Sequence, residues 1–410
     1  MIIFKKGRIY MIKKHPFIII SQEGEKWLNK GQMWMYRNNL VALDNIIENG
    51  ALVDIMTTDH KYLGTGFLSK ESHIVVRILT KNQNEIIDRD FFKQRIRFAY
   101  HYRQTVEKEN LNNCRIIFGE ADQLPGLTVD RYNDLLVCQI SSYGMDIRKN
   151  LLYQSLLEVL KEEGQEIKGI YERNDIQVRA KEGLSLYKGF WKNTQLSTKT
   201  VINENGLLIN VDIENGQKTG YFLDQKSNRV LVRNIAHDKK VLDCFTHTGG
   251  FALNAAYGKA KEVVAVDVSQ TALDQAFQNA LLNGLEKRMK FIKADVFDYL
   301  DQCQKGAFDM IILDPPAFTK SRRTVDHAYQ GYKRINKRAM EILGHGGYLV
   351  TCTCSRFMEI DHFEKMLKEA AKEAQVTLRQ ISVTQQNHDH PILWTMEETS
   401  YLKFYIFQLI

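Results

Sequence analysis

Hydrophobic and polar positions change their rhythm near residue 200. From there to the end, five short apolar runs recur: KVLDCF (240–245), EVVAVDVS (262–269), MKFIKAD (289–295), FDMIILDPP (308–316) and GGYLVTCTCS (346–355). Their near-continuous apolar character predicts strands buried on both faces. Stretches of helical spacing separate them, among them TALDQAFQNALLNG (271–284) and VDHAYQGYKRINKRAMEIL (325–343). Alternating buried strands and helices predict a doubly wound α/β domain over 199–410.

Upstream the pattern is different. ALVDIMTT (51–58) and HIVVRILT (73–80) read as strands around a glycine-bearing turn and strand, which predicts a β-rich module over 1–83. NEIIDRDFFKQRIRFAYHYRQTV (84–106) has helical period and predicts a connector over 84–112. CRIIFGE, GLTVDRY, LLVCQIS and IKGIYER read as strands, with a helix in DIRKNLLYQSLLEVLKEEG that Gly164 ends. They predict a small α+β unit over 113–198.

Composition narrows the class. At 410 residues, 44% hydrophobic and 26% charged, the chain is long enough for several globular domains. A formal charge of +7 permits a polyanionic partner. The basic start, with Lys26 and Lys30 followed by Trp34 and Tyr36, suits nucleic acid, although a solvated edge over packed aromatics explains it better on local grounds. The six cysteines form no ladder of spacings, which points to a reducing compartment and away from disulfides. No apolar run approaches the roughly 20 residues of a membrane span. The expected location is cytoplasmic.

In a doubly wound sheet, ligands bind beyond the carboxyl ends of the strands. Asp243 ends the first strand, and DCFTHTGGFALNAA (243–256) follows with Gly249 and Gly250 opening a helix. This is not G-x-G-x-x-G, so a smaller adenosine compound is favoured over a dinucleotide. Asp267 follows the second strand, 24 residues after Asp243, where a carboxylate can hold ribose hydroxyls. Asp295 follows the third and can accept from an adenine amine. Asp also caps helices, so any one of these alone is weak evidence. The set of three resembles a class I S-adenosylmethionine-dependent methyltransferase. Phe245, Thr248, Gly249, Val268, Val296 and Asp314 complete the expected cofactor-binding residues beside Asp243, Asp267 and Asp295.

LDPPAF (313–318) follows the fourth strand and resembles the D/N-P-P-aromatic loop of methyltransferases that act on planar bases. Asp314, Pro315, Pro316 and Phe318 are expected to face the base, with Phe318 stacking on it. Lys320, Arg322, Arg323, Lys333, Arg334, Lys337 and Arg338 stand against Asp326, and this excess of positive charge favours phosphate contacts. Lys320, Arg322 and Arg323, with Gln225 and Arg229, are the expected substrate contacts.

Cys352 and Cys354 follow the fifth strand. No further Cys or His pair stands at metal-ligand spacing, so no metal is expected. Cys352 should lie in the core. Cys354 comes where the strand opens, and a neighbouring Arg356 or helix N-terminus would lower its pKa. A thiolate has a clear use: added to carbon 6 of cytosine, it turns the ring into an enamine nucleophilic at carbon 5. Asp314 would be the acid at the ring nitrogen.

VLDCFTHTGGFAL, LDPPAF, TCTCS, DQLPGLTVDRY, GYKRINKRAMEIL and NGQKTGYFLDQ together resemble the bacterial 23S ribosomal RNA cytosine-C5 methyltransferases with an N-terminal PUA domain. The resemblance covers nearly the whole chain. It implies a PUA module, a central α+β domain and a Rossmann-like class I methyltransferase domain. It implies S-adenosyl-L-methionine as cofactor, large-subunit ribosomal RNA as partner and Cys354 as nucleophile. Gln217 to Arg229 would close over the cofactor or a flipped base, and a homodimer is a candidate assembly by analogy. LDPPAF lacks the second cysteine seen in other RNA cytosine-C5 methyltransferases, so the group that removes the carbon-5 proton stays unassigned. Two alternatives remain open: methylation of a guanine or adenine nitrogen, and a non-catalytic RNA-binding ribosome-assembly factor.

Overall fold

The computed structural model describes residues 2–5, 8–11, 15–192, 195–319 and 322–410. They pack as two units, Met1–Ser197 with Pro391–Thr399, and Thr198–His390 with Ser400–Ile410. Residues 391–399, which the sequence places with the α/β domain, therefore group with the first unit.

Besides a two-stranded antiparallel hairpin, Ile2–Lys5 with Arg8–Met11, the first unit holds two larger sheets. One is six-stranded, ordered Trp34–Tyr36, Ile74–Thr80, Tyr62–Leu68, Leu52–Met56, Phe17–Ile20, Leu40–Ala42. The other is five-stranded, ordered Tyr187–Phe190, Gly169–Asn174, Leu135–Ile140, Leu127–Tyr132, Asn113–Phe118. A buried ion pair ties them together, with Arg77 Nη2 on Glu182 Oε1 at 2.8 Å and Nη1 on Oε2 at 3.1 Å. The connector helix is Arg89–Val106. It starts later than its spacing suggests because Asp88 caps it, accepting from the Phe91 amide at 3.1 Å. Its basic residues do not form a free face. Lys93 and Arg97 pair with Glu162, and Arg103 is fully buried against Asp122. The Trp34 indole donates to Glu120 at 2.8 Å, so it also has a packing role.

The second unit begins with a hairpin, Lys199–Glu204 and Leu207–Asp212, followed by helix Lys226–Ile235. Then comes a seven-stranded sheet. In chain order its strands are Lys240–Cys244, Glu262–Asp267, Met289–Lys293, Met310–Leu313, Tyr348–Thr353, Leu378–Thr384 and Lys403–Leu409. Across the sheet they lie in the order 3-2-1-4-5-7-6. The first five are parallel, and the last is antiparallel to its neighbours. This is the expected Rossmann-like α/β sheet, extended by two strands that the apolar pattern did not reveal. The strand order reverses between the first and fourth strands, which is where such sheets open a crevice. Among the described residues, no helix is long and apolar enough to cross a membrane.

Candidate active site

Strand register assembles the crevice. Cys244 lies beside Leu313, and Leu313 beside Thr351, so the first, fourth and fifth strands end side by side. Asp243, Asp314, Cys352 and Cys354 are delivered together as a result.

Asp243 is 1% exposed. Its Oδ2 accepts from Thr246 Oγ1 at 2.6 Å and from the Ala252 amide at 2.9 Å, while its Oδ1 has no partner. Burial pushes its pKa up to about 7, against the Thr246 hydrogen bond and with the nearby Asp314 charge adding to the rise. The loop after it is unusual: Phe245, His247 and Gly249 have φ of 61°, 52° and 85°. Left-handed residues at three alternate positions cost free energy that packing must offset, and such residues concentrate at ligand sites. A Cβ on Gly249 would stand 3.1 Å from Ala276 Cβ, so the backbone here lies close to its neighbour. The Asp267 carboxylate accepts from the His247 and Ser269 amides, both at 2.9 Å. It braces the loop and keeps lone pairs to spare.

Asp314 follows the fourth strand. Its Oδ1 accepts from Cys352 Sγ at 3.0 Å and from Gln225 Nε2 at 3.4 Å. Burial raises its pKa above the ordinary carboxyl value. Cys352 is fully buried, as expected, and its thiol is held by Asp314. Cys354 is partly exposed. Its thiol is not acidified: burial, then the Asp314 charge, push it up to about 11, the reverse of the expected lowering. Arg356 is exposed, and its charge is not among the main influences on that thiol.

Charged residues that sequence reasoning missed surround Cys354. Asp224 is buried, and its Oδ2 accepts from Lys218 Nζ and from Tyr401 Oη, each at 2.6 Å. Burial opposes its ionisation, but Lys218, His390 and Tyr401 outweigh that and hold it well below the carboxylate range. Lys403, on the last strand, is 5% exposed, and burial brings its amine down to about 8. A lysine opening the otherwise apolar strand KFYIFQL was the available signal.

Residues 188–407 match the family of S-adenosylmethionine-dependent methyltransferases, and residues 18–81 match PUA-like domains. The chain is 41% identical over 391 residues to ribosomal RNA large subunit methyltransferase I of Aeromonas salmonicida, covering 94% of this chain and 98% of that one. It is 39% identical over 390 residues to the protein of that name from Aliivibrio fischeri strain MJ11, covering 94% and 97%. The chain belongs to the ribosomal RNA large subunit methyltransferase I family. Its fold is shared by a candidate S-adenosylmethionine-dependent methyltransferase from Streptococcus mutans, at a TM-score of 0.81 and 22% identity, covering 96% of this chain and all of that one. A second such structure, with a TM-score of 0.81 and 21% identity over 96% of this chain and all of that one, is complexed with S-adenosylhomocysteine.

S-adenosylmethionine is the cofactor of this family, and the residues present suit it. The unpartnered, buried Asp243 Oδ1 seeks a donor. Several expected contacts are otherwise employed. Asp295 caps helix Val296–Gln302 through one oxygen, its Oδ1 accepting from the Phe297 amide at 2.8 Å. Val296 is buried in the core, whereas Val268 is 61% exposed. Thr248 is buried, and its carbonyl accepts from Asn279 at 3.0 Å. Phe318 packs on Tyr332, with ring centroids 4.6 Å apart, and also against Phe245 and Phe297. Its ring therefore belongs to an aromatic cluster and is not presented for stacking. Pro315 is buried and Pro316 exposed.

Arg229 is 2% exposed, with both arms of its guanidinium on Glu204 at 2.7 Å. It holds the helix to the hairpin and is not presented to a substrate. Gln225 does reach the site, through Asp314. Of the basic cluster, Lys320 and the Arg322 side chain lie outside the described residues, and Arg323 is exposed. Lys333 and Lys337 pair with Glu373, Arg334 with Asp301 and Arg338 with Glu341, so these four are not a free phosphate-binding row.

Proposed function

We propose that this protein methylates carbon 5 of a cytosine in large-subunit ribosomal RNA, with Cys354 as nucleophile. The observation that carries this reading is the contrast between the two cysteines beside Asp314. Cys352 is buried and bonded to the carboxyl, while Cys354 is partly exposed at the mouth of the same crevice. The relatives' names specify large-subunit ribosomal RNA. S-adenosylmethionine, when bound, supplies an electrophilic methyl group. Asp243 and the Gly249 turn would hold it, with Asp267 available to its ribose.

The protein's own residues do the rest. Asp314, whose hold on a proton burial strengthens, is the acid that donates to the ring nitrogen as Cys354 Sγ adds to carbon 6. Gln225 orients that carboxyl. A base inside folded RNA must be flipped out to reach the crevice.

The test is a covalent trap. RNA containing 5-fluorocytosine cannot lose a proton from carbon 5, so the adduct should persist with wild type and with Cys352→Ala, and be missing with Cys354→Ala. Methyl transfer into ordinary RNA with no trapped adduct would refute the thiol route and move the target to a base nitrogen.

A further inference from the structure

Cys354 is the first residue of its strand to leave the sheet. The fifth strand pairs with the fourth as far as Thr351 beside Leu313, and with the last strand as far as Thr353 opposite Lys403. Asp314 is held by the pairing of the residue before it and by the Cys352 thiol at 3.0 Å. Neither restraint reaches the turn that carries Cys354.

Ser355 holds that turn. It is 1% exposed, and its amide, hydroxyl and carbonyl are all bonded. The amide donates to Thr353 Oγ1 at 3.1 Å, bridging the two residues that flank Cys354. The carbonyl accepts from Lys403 Nζ at 3.2 Å. The hydroxyl donates to the Thr319 carbonyl at 2.9 Å, and Thr319 is also buried. Thr319 ends the loop that starts at Asp314. Pro315 and Pro316 lie between them, and their rings fix φ, so restraining the far end of the loop restrains its start.

The link closes on itself. The Thr319 and Thr324 hydroxyls are 2.7 Å apart, which ties the loop to the start of helix Val325–Ile342. That helix carries the buried Tyr332, whose hydroxyl accepts from Thr353 Oγ1 at 2.8 Å. A ring of bonds therefore runs from Ser355 through Thr319, Thr324, the helix, Tyr332 and Thr353 back to Ser355. Phe318, on the same loop, packs on Tyr332 and adds an apolar contact between loop and helix.

We infer that Ser355 is a positioning residue that sets the spacing between the Cys354 thiol and the Asp314 loop. This deepens the cytosine reading and rests on it. In that reading the two groups act across one pyrimidine ring, the thiol at carbon 6 and the carboxyl at the ring nitrogen opposite. Both must be in place at once. Holding reacting groups in position supplies a large part of catalysis, and a misplacement of about 1 Å can cost on the order of 10²-fold. The Ser355 hydroxyl is the direct hydrogen bond between turn and loop, so its removal lets the two shift apart while leaving the thiol and the carboxyl themselves intact.

The test compares two reactions of the same thiol in wild type, Ser355→Ala and Tyr332→Phe. Alkylation of Cys354 by iodoacetamide, mapped by mass spectrometry, needs the thiol alone. Adduct formation with RNA containing 5-fluorocytosine, in the presence of S-adenosylmethionine, needs thiol and loop together. At saturating RNA, Ser355→Ala should form the adduct at least about tenfold more slowly, a conservative share of the cost of such a misplacement. Its alkylation rate and RNA affinity should match wild type. Tyr332→Phe opens the ring of bonds at its other side and should show the same split. The double variant should be little slower than Ser355→Ala, because both changes break one network. An unchanged adduct rate in Ser355→Ala overturns the inference. So does a slower adduct matched by equally slow alkylation, since the residue would then act on the thiol itself. If Ser355→Ala does not fold, the same two outcomes in Tyr332→Phe decide. These results leave the cytosine reading standing. Methyl transfer by wild type into ordinary RNA with no adduct refutes that reading and the inference with it.

Discussion

Glu204→Gln isolates the cost of an unmatched buried charge. Glu204 and Arg229 are each about 2% exposed and joined by two bonds of 2.7 Å. The substitution keeps the shape and one acceptor but leaves the guanidinium buried without its counter-charge. Removing one partner of such a pair costs about 3–5 kcal/mol. In a unit of roughly 200 residues, even the lower figure lowers the melting temperature by roughly 6–12 °C. Calorimetry of the apo protein measures this. The double variant Glu204→Leu, Arg229→Met removes both charges and should recover most of the loss. It should also retain RNA affinity, because Arg229 faces Glu204 and not the substrate. A loss of under about 2 °C with Glu204→Gln would refute the burial argument. A tenfold loss of RNA affinity in a stable double variant would refute the structural role.

Asp243 has a folded-state pKa raised to about 7, so the native protein holds its proton more tightly than the unfolded chain does. Its contribution to apo stability is therefore full below the ordinary carboxyl pKa near 4 and is lost as pH rises through about 7. Asp243→Asn should flatten that part of the stability profile and weaken S-adenosylmethionine binding; melting curves across pH and titration calorimetry test both, and an unchanged profile would disprove the assignment. Gly249→Ala forces a side chain into φ of 85° and against Ala276, which should cost about 1–2 kcal/mol and reduce cofactor affinity. Denaturant unfolding and calorimetry check this, and an unaffected variant would mean that the loop relaxes freely.

The parallel strands were legible because burial on both faces writes an uninterrupted apolar run. Asp243, Asp314 and the two cysteines were legible because such a sheet places its strand ends in one crevice. The last two strands were less so: Leu378–Thr384 is an exposed edge with mixed polarity, and Lys403–Leu409 carries a lysine at its start.

What the sequence by itself determined is the order of elements and the residue types delivered to the crevice, since both follow from local spacing. The tertiary structure alone decided what each charge does. Arg229 is consumed by Glu204, and Lys333 and Lys337 by Glu373 from another helix. It likewise determined the state of Cys354, where burial outweighs neighbouring cations, and set Lys403 of the last strand opposite Thr353. Ion pairing and desolvation depend on distance in space, and spacing along the chain does not carry that information.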